Sequence, residues 1–179
     1  ARRALALRAD PRVLAIAGTA MSLLDDESAG RVIAKALAID GSSAFAWGRS
    51  GWVDVYRGHD DAAIERFMIA LELAPTDELS FNHLYGIGVA HFNAGRFREA
   101  ALWQQRALDE HPQLAWMHRT LCPAYMYAGA RDEAADSARR LIEGYPELTL
   151  AKTMDGLPPL PQATRERVIG ALHDVGLPA

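Results

Sequence analysis

Four things are scarce or missing in this 179-residue chain, and each shortage narrows what it can do. Cysteine occurs once, as Cys122. One thiol excludes an internal disulfide and any zinc site built on several thiolates, and it suits a reducing, cytoplasmic setting. Long apolar runs are missing too. No stretch approaches the roughly 18 residues of a membrane span, and no charged-then-apolar leader opens the chain. A basic excess is absent, since 19 Lys and Arg face 23 Asp and Glu for a net charge of −4. Binding a phosphate backbone needs a basic footprint, so nucleic acid is excluded as a partner of this chain. The fourth absence is an initial methionine: the chain begins "ARRALALRADP" as though already inside a helix. A piece of a longer protein, with a domain upstream, is the expectation. What is present is ordinary for a water-soluble fold, with 50% hydrophobic, 23% charged and 8% aromatic residues.

Self-similarity decides the architecture. "AFAWGRSGWVDVYRGHDDAAIERFMIALELAPTD" aligns with "FNHLYGIGVAHFNAGRFREAALWQQRALDEHPQL" and with "AWMHRTLCPAYMYAGARDEAADSARRLIEGYPEL". Pro75, Pro112 and Pro146 fall in register, as do Gly58, Gly95 and Gly129, and Ala63, Ala100 and Ala134. The proline step is 34 residues in one case and 37 in the other, where Glu78, Leu79 and Ser80 lengthen a connection. A fainter copy runs from Asp10 to Ser43, with Gly41 in place of the proline. A period of about 34 with these marks is the tetratricopeptide signature.

Each copy reads as two helices. In the second, Ser42 or Ser43 can cap helix A, and Gly58 can end it in the left-handed conformation. Asp60 or Asp61 can cap helix B, whose Ala63, Phe67, Ala70 and Leu71 form an apolar stripe. Pro75 then stops the helix. Ala100, Ala107 and Leu108, and Ala134, Ala138 and Leu141, repeat that stripe. A single pair cannot bury such stripes, so neighbouring pairs must stack. The expectation is an all-α, right-handed tetratricopeptide superhelix, an α-α solenoid of about four helix-turn-helix repeats. Residues 1–9 read as the tail of a preceding repeat helix and 10–43 as a degenerate repeat. Residues 44–77, 81–114 and 115–148 read as repeats, and 149–179 as a connector and capping helix, the last helix being expected near Thr164 to Val175.

"AWGRSGWVDVYRGHDDAAIERF", "GIGVAHFNAGRFREAALWQQRAL" and the closing "RERVIGALHDVGLP" together resemble one bacterial grouping. It is the C-terminal tetratricopeptide region found behind class III adenylate/guanylate cyclase domains or winged-helix transcriptional regulators. The resemblance spans about residues 4 to 178. It implies a regulatory, protein-interaction segment of a larger signalling protein, without catalysis in this chain. His118 stands where that pattern has tryptophan, Cys122 where it has glycine, and Gln104 where it has a helix-B aromatic.

The candidates for chemistry each have a structural counterpart. "GRSG" at 48–51 has the glycines of a phosphate loop but no following lysine and no strand before it. Gly51 instead shares a small-residue position with Gly88 and Cys122, where helix B approaches. His59, His83, His91, His111, His118 and His173 show no i, i+4 metal spacing and no HExxH, and no metal or other cofactor is expected. Cys122 would be nucleophilic only beside a base, and His118 one turn away is the one pairing worth noting. The acidic runs Asp60–Asp61, Asp25–Asp26–Glu27 and Asp132–Glu133 stand where helix B begins and complement the helix dipole. No catalytic residue emerges. "LPPLPQ" at 157–162 is either a proline-rich ligand or a rigid connector leading to a cap over the last repeat.

Function is expected on the concave face. The groove positions of the family, carried onto matching residues, give Phe45, Trp52 and Tyr56 in the second copy. Asn82, Tyr85, Val89, Phe92 and Asn93 follow in the third, and Trp116, Arg119, Met126 and Tyr127 in the fourth. Asparagines can pair with a peptide backbone, an arginine can clamp a carboxylate, and Tyr and Trp anchor hot spots. The expected partner is a protein or peptide in this groove, with a homodimer and a small-molecule-sensing aromatic groove as alternatives. For Trp52 and Tyr56, binding a partner and packing one repeat on the next fit the sequence equally, and for Phe92 packing fits better.

Overall fold

A computed structural model describes residues 10–24 and 26–179, so the helical tail expected at 1–9 lies outside the described residues. Ten α-helices and no strand occur among the described residues: α1 (Pro11–Ser22), α2 (Ala29–Ile39), α3 (Ala44–Arg57), α4 (Asp60–Leu73) and α5 (Ser80–Asn93), then α6 (Phe97–Glu110), α7 (His118–Ala128), α8 (Arg131–Gly144), α9 (Leu150–Gly156) and α10 (Gln162–Asp174). The architecture is an all-α solenoid. α1 packs on α2, α3 on α4, α5 on α6 and α7 on α8, while α1–α3 and α3–α5 contacts carry the stack from pair to pair. No helix among the described residues is long and apolar enough to cross a membrane.

Local chemistry sets the helix ends. Asp10 receives the backbone N–H groups of Arg12 and Val13 at 2.8 and 3.2 Å, and Ser43 receives that of Ala46 at 3.2 Å. Gly58, Gly95 and Gly129 turn the chain between the helices of a pair with φ of 70°, 77° and 81°, a conformation that costs glycine little. Pro75, Pro112 and Pro146 each stand two residues beyond the end of α4, α6 and α8. The expected aspartate caps of α4 are corrected by the structure. His59 holds the capping position without a side-chain bond, and Asp60 and Asp61 lie inside the first turn, where their charge favours the helix dipole.

The small-residue register works through aromatic and amide side chains. The Phe67 ring of α4 lies against Gly51 of α3, where a Cβ would stand 2.8 Å from the ring, and its far edge lies against Gly86 of α5. Gly48 makes the corresponding space for the His83 imidazole. Gly88 faces the backbone N–H of Gln104 at 3.0 Å from a would-be Cβ. Gln104 is fully buried, and its Oε1 accepts a hydrogen bond from Thr120 at 2.8 Å. A buried polar residue thus stands where the repeat pattern has an aromatic one, with its Oε1 bonded and its Nε2 left without a partner.

Two features depart from expectation. The fourth helix A opens as a 3-10 turn, Ala115–Met117, before α7, and α7 contains Pro123, whose missing N–H cannot bond the Arg119 carbonyl. More consequential is the C-terminal segment. The final helix is expected to cap the last repeat; α10 packs on α7 of that repeat and reaches on to α5, along the helix-A row. Its Val168 and Leu172, with Leu157, Leu160 and Leu177, join the main core that runs from Trp52 through α8. Residues around α1 and α2 form two smaller clusters apart from it, one on Leu14 and Ala36, the other on Met21 and Ile33.

Candidate functional site

The twelve residues singled out from the sequence lie in α3, α5, the 3-10 turn at Ala115–Met117 and α7, and they divide into three groups. The first is an aromatic ladder. Trp52 lies 5.9 Å from Tyr56 and 6.1 Å from Tyr85, and Tyr85 meets the Trp116 ring edge-on at 4.9 Å. Trp52 Nε1 donates to Asn82 Oδ1 at 2.7 Å, and the Tyr85 hydroxyl pairs with Thr120 Oγ1 at 2.7 Å. Trp52 is only 7% exposed and Tyr85 only 5%, while Val89 and Phe92 are buried outright. Burial pushes the Tyr56 phenol up to about 12, with the Arg49 guanidinium working the other way. The rings that would have wrapped a small molecule pack on one another.

The second group is engaged by the protein's own C-terminal segment. Asn93 donates from Nδ2 to the Val55 carbonyl at 3.1 Å and accepts from Thr164 Oγ1 at 2.8 Å. Arg119 Nη1 donates to the Gly156 carbonyl at 3.0 Å. In return, Arg167 of α10 donates to the carbonyls of Phe92 and Asn93, both at 3.2 Å, and its guanidinium lies 5.9 Å from the Phe97 ring. These carbonyls belong to the last turn of α5, and a cation there favours the helix dipole; the Phe92 carbonyl also accepts from the Gly95 N–H at 3.1 Å. Pro161 approaches Gly58, and Pro159 lies beside Tyr56 and Arg57, so the proline stretch crosses toward the second pair. The segment closes on itself where Leu150 N–H donates to the Pro178 carbonyl at 2.7 Å.

The third group keeps access. Phe45 is half-buried between the guanidiniums of Arg12 and Arg49, at 4.8 and 4.9 Å from its ring centre. Tyr127 is 44% exposed and stacks on Phe97 at 4.8 Å. Met126 lines an open cleft of about 510 Å³ with Ala138, Ile142 and Val175, rimmed by Arg131, Arg139, Glu143 and Asp174.

This solenoid resembles known ones. PilW, a widely conserved type IV pilus biogenesis factor, superposes with a TM-score of 0.74 at 18% identity over 93% of this chain and 75% of that one. MamA gives 0.64 at 20% identity over 88% and 91%. MamA from Desulfovibrio magneticus RS-1 gives 0.66 at 22% over 78% and 77%. These likenesses are of fold. No protein-family profile matches the chain, and no curated protein sequence does.

The remaining candidates take structural places. GRSG lies within α3, its two glycines facing rings rather than an anion. Cys122 is buried, and that burial pushes its thiol up to about 12, away from the thiolate a nucleophile needs. His118 Nδ1 pairs with Ser137 Oγ at 2.8 Å rather than with Cys122. Among the described residues, no three His, Cys, Asp or Glu side chains converge as a metal site would require. The proline stretch is no free ligand, because Leu157 and Leu160 anchor it in the core.

Sequence reasoning missed the occupant of the groove. Its signal was nevertheless present: Thr164, Arg167, Val168, Ala171 and Leu172 recur at helical spacing and form one face of α10, while Glu166, Gly170 and His173 are exposed.

Proposed function

We propose that this chain is a non-catalytic interaction scaffold that holds a protein segment against the α3–α5–α7 face. The observation that carries the reading is that this face already holds one, residues 149–179 of the same chain. Asn93 and Arg119, chosen for their ability to grip a peptide, are both bonded to that segment. The resemblance to tetratricopeptide regions behind cyclase or winged-helix domains supports reading the scaffold as part of a larger bacterial signalling protein, where engagement of the face would regulate an attached output domain. Met126, Tyr127 and Ile142, at the open end of the face, are the natural first contacts for a partner.

The test compares proteins co-purified in stoichiometric amounts with the full chain and with a Tyr127→Ala/Ile142→Ala variant of unchanged helicity. A partner retained by the first and lost tenfold or more from the second is expected. Identical recovery by both would remove the open end of the face from the binding surface. Light scattering on the same samples separates a hetero-complex from a homodimer.

A further inference from the structure

Resting on the scaffold reading, we infer that residues 149–179 are a displaceable occupant of the face, and that a partner enters in trans with the same pattern. That pattern is Leu-x-x-Leu-Pro followed by an amphipathic helix bearing a small polar residue, an arginine and three apolar residues on one side. The seated segment supplies each part. Leu157 and Leu160 fill apolar sites three residues apart, and Pro161 starts the helix near Gly58. Thr164, Arg167, Val168, Ala171 and Leu172 fall at i, i+3, i+4, i+7 and i+8, the spacing of a helix laid in a groove.

Three observations favour displacement over permanent packing. Each of the helix pairs α1 to α8 packs within itself and on its neighbour, and the segment lies across α5 and α7 rather than adding a further pair. The chain joining it to α8, Tyr145 to Glu147, is exposed, so the hinge itself carries no buried contact. Its polar grips are also few: Thr164 on Asn93, Arg167 on two carbonyls, and Gly156 under Arg119. As a tethered ligand it acts at an effective concentration on the order of millimolar, which keeps a weaker or dilute competitor out. A partner succeeds by binding more tightly or once the grips are loosened.

The experiment uses the full chain and a fluorescent synthetic peptide of residues 149–179. The double variant Thr164→Ala/Arg167→Ala loosens the tethered copy while keeping its apolar anchors. Peptide binding to this variant should be at least tenfold tighter than to the wild-type chain, whose face is filled. A peptide carrying the same two substitutions should bind at least tenfold more weakly. Hydrogen exchange on the wild-type chain gives an independent reading: α10 amides should exchange at least tenfold faster than those of α5, showing that the segment opens without global unfolding. Equal peptide binding to both folded chains, or exchange of α10 at the rate of α5, each overturns the proposal. Neither result touches the co-purification test, which depends on Tyr127 and Ile142 rather than on release of the segment.

Discussion

Gly51 and Gly86 set two helical preferences against each other. In a helix interior, Gly to Ala gains about 0.8–1 kcal/mol of propensity. At these two positions the new methyl would overlap the Phe67 ring, which is fully buried and has no free direction to move. Overpacking of this kind costs typically 1–3 kcal/mol, so the overlap wins. Gly51→Ala and Gly86→Ala should each lower the urea midpoint at unchanged slope. A second residue-scale prediction concerns His83. Burial, aided by the nearby Arg49 guanidinium, holds its imidazole down to about 4. The unfolded chain takes up this proton near 6.5, so between 6.5 and 4 the unfolded state binds more protons than the folded one. The stabilisation from a neutral buried His83 is complete above 6.5 and is lost as pH falls toward 4, by an amount on the order of 3 kcal/mol. Denaturation midpoints measured from pH 7 to 4 should fall, and His83→Gln should flatten that fall.

At the scale of elements, Gly170 is the useful contrast. It lies on the exposed side of α10, and an added Cβ would meet nothing within 4 Å. Here propensity acts unopposed, and Gly170→Ala should stabilise by about 0.5–1 kcal/mol, with slower hydrogen exchange confined to α10 as the check. The helix pairs themselves were legible in the sequence because their marks are local. Ser43 caps within three residues, Gly58 turns at its own φ, and Pro75 stops α4 by its own missing donor. The occupant of the groove was not legible, because it depends on contacts made far along the chain. Thr164 reaches Asn93 across 71 residues, and Arg167 reaches Phe92 across 75. Sequence periodicity identified α10 as a helix but gave no rule for which face of the array it would cover. Among the residues expected to line the groove, Trp52, Tyr85 and Phe92 are buried and pack on neighbouring rings, the alternative that helical spacing alone could not separate from binding.

For the whole molecule, the division of the core predicts uneven stability. In a solenoid each pair leans mainly on its neighbours, so pairs with smaller shared cores open first. The clusters around α1 and α2 are small and separate from the main core, and Ile16 and Leu24 are 52% and 80% exposed. The fourth pair, by contrast, is held by α10 across α7. Amides of α1 and α2 should therefore exchange faster than those of α5 and α7, and low urea should remove part of the helical signal before the main transition. A single transition with uniform protection would contradict this. The hydrogen bond from Leu150 to Pro178 gives the C-terminal segment a property that the rest of the array lacks. Its two ends meet, so residues 149–179 form a loop closed by their own backbone bond, and its closure travels with it when it lifts away.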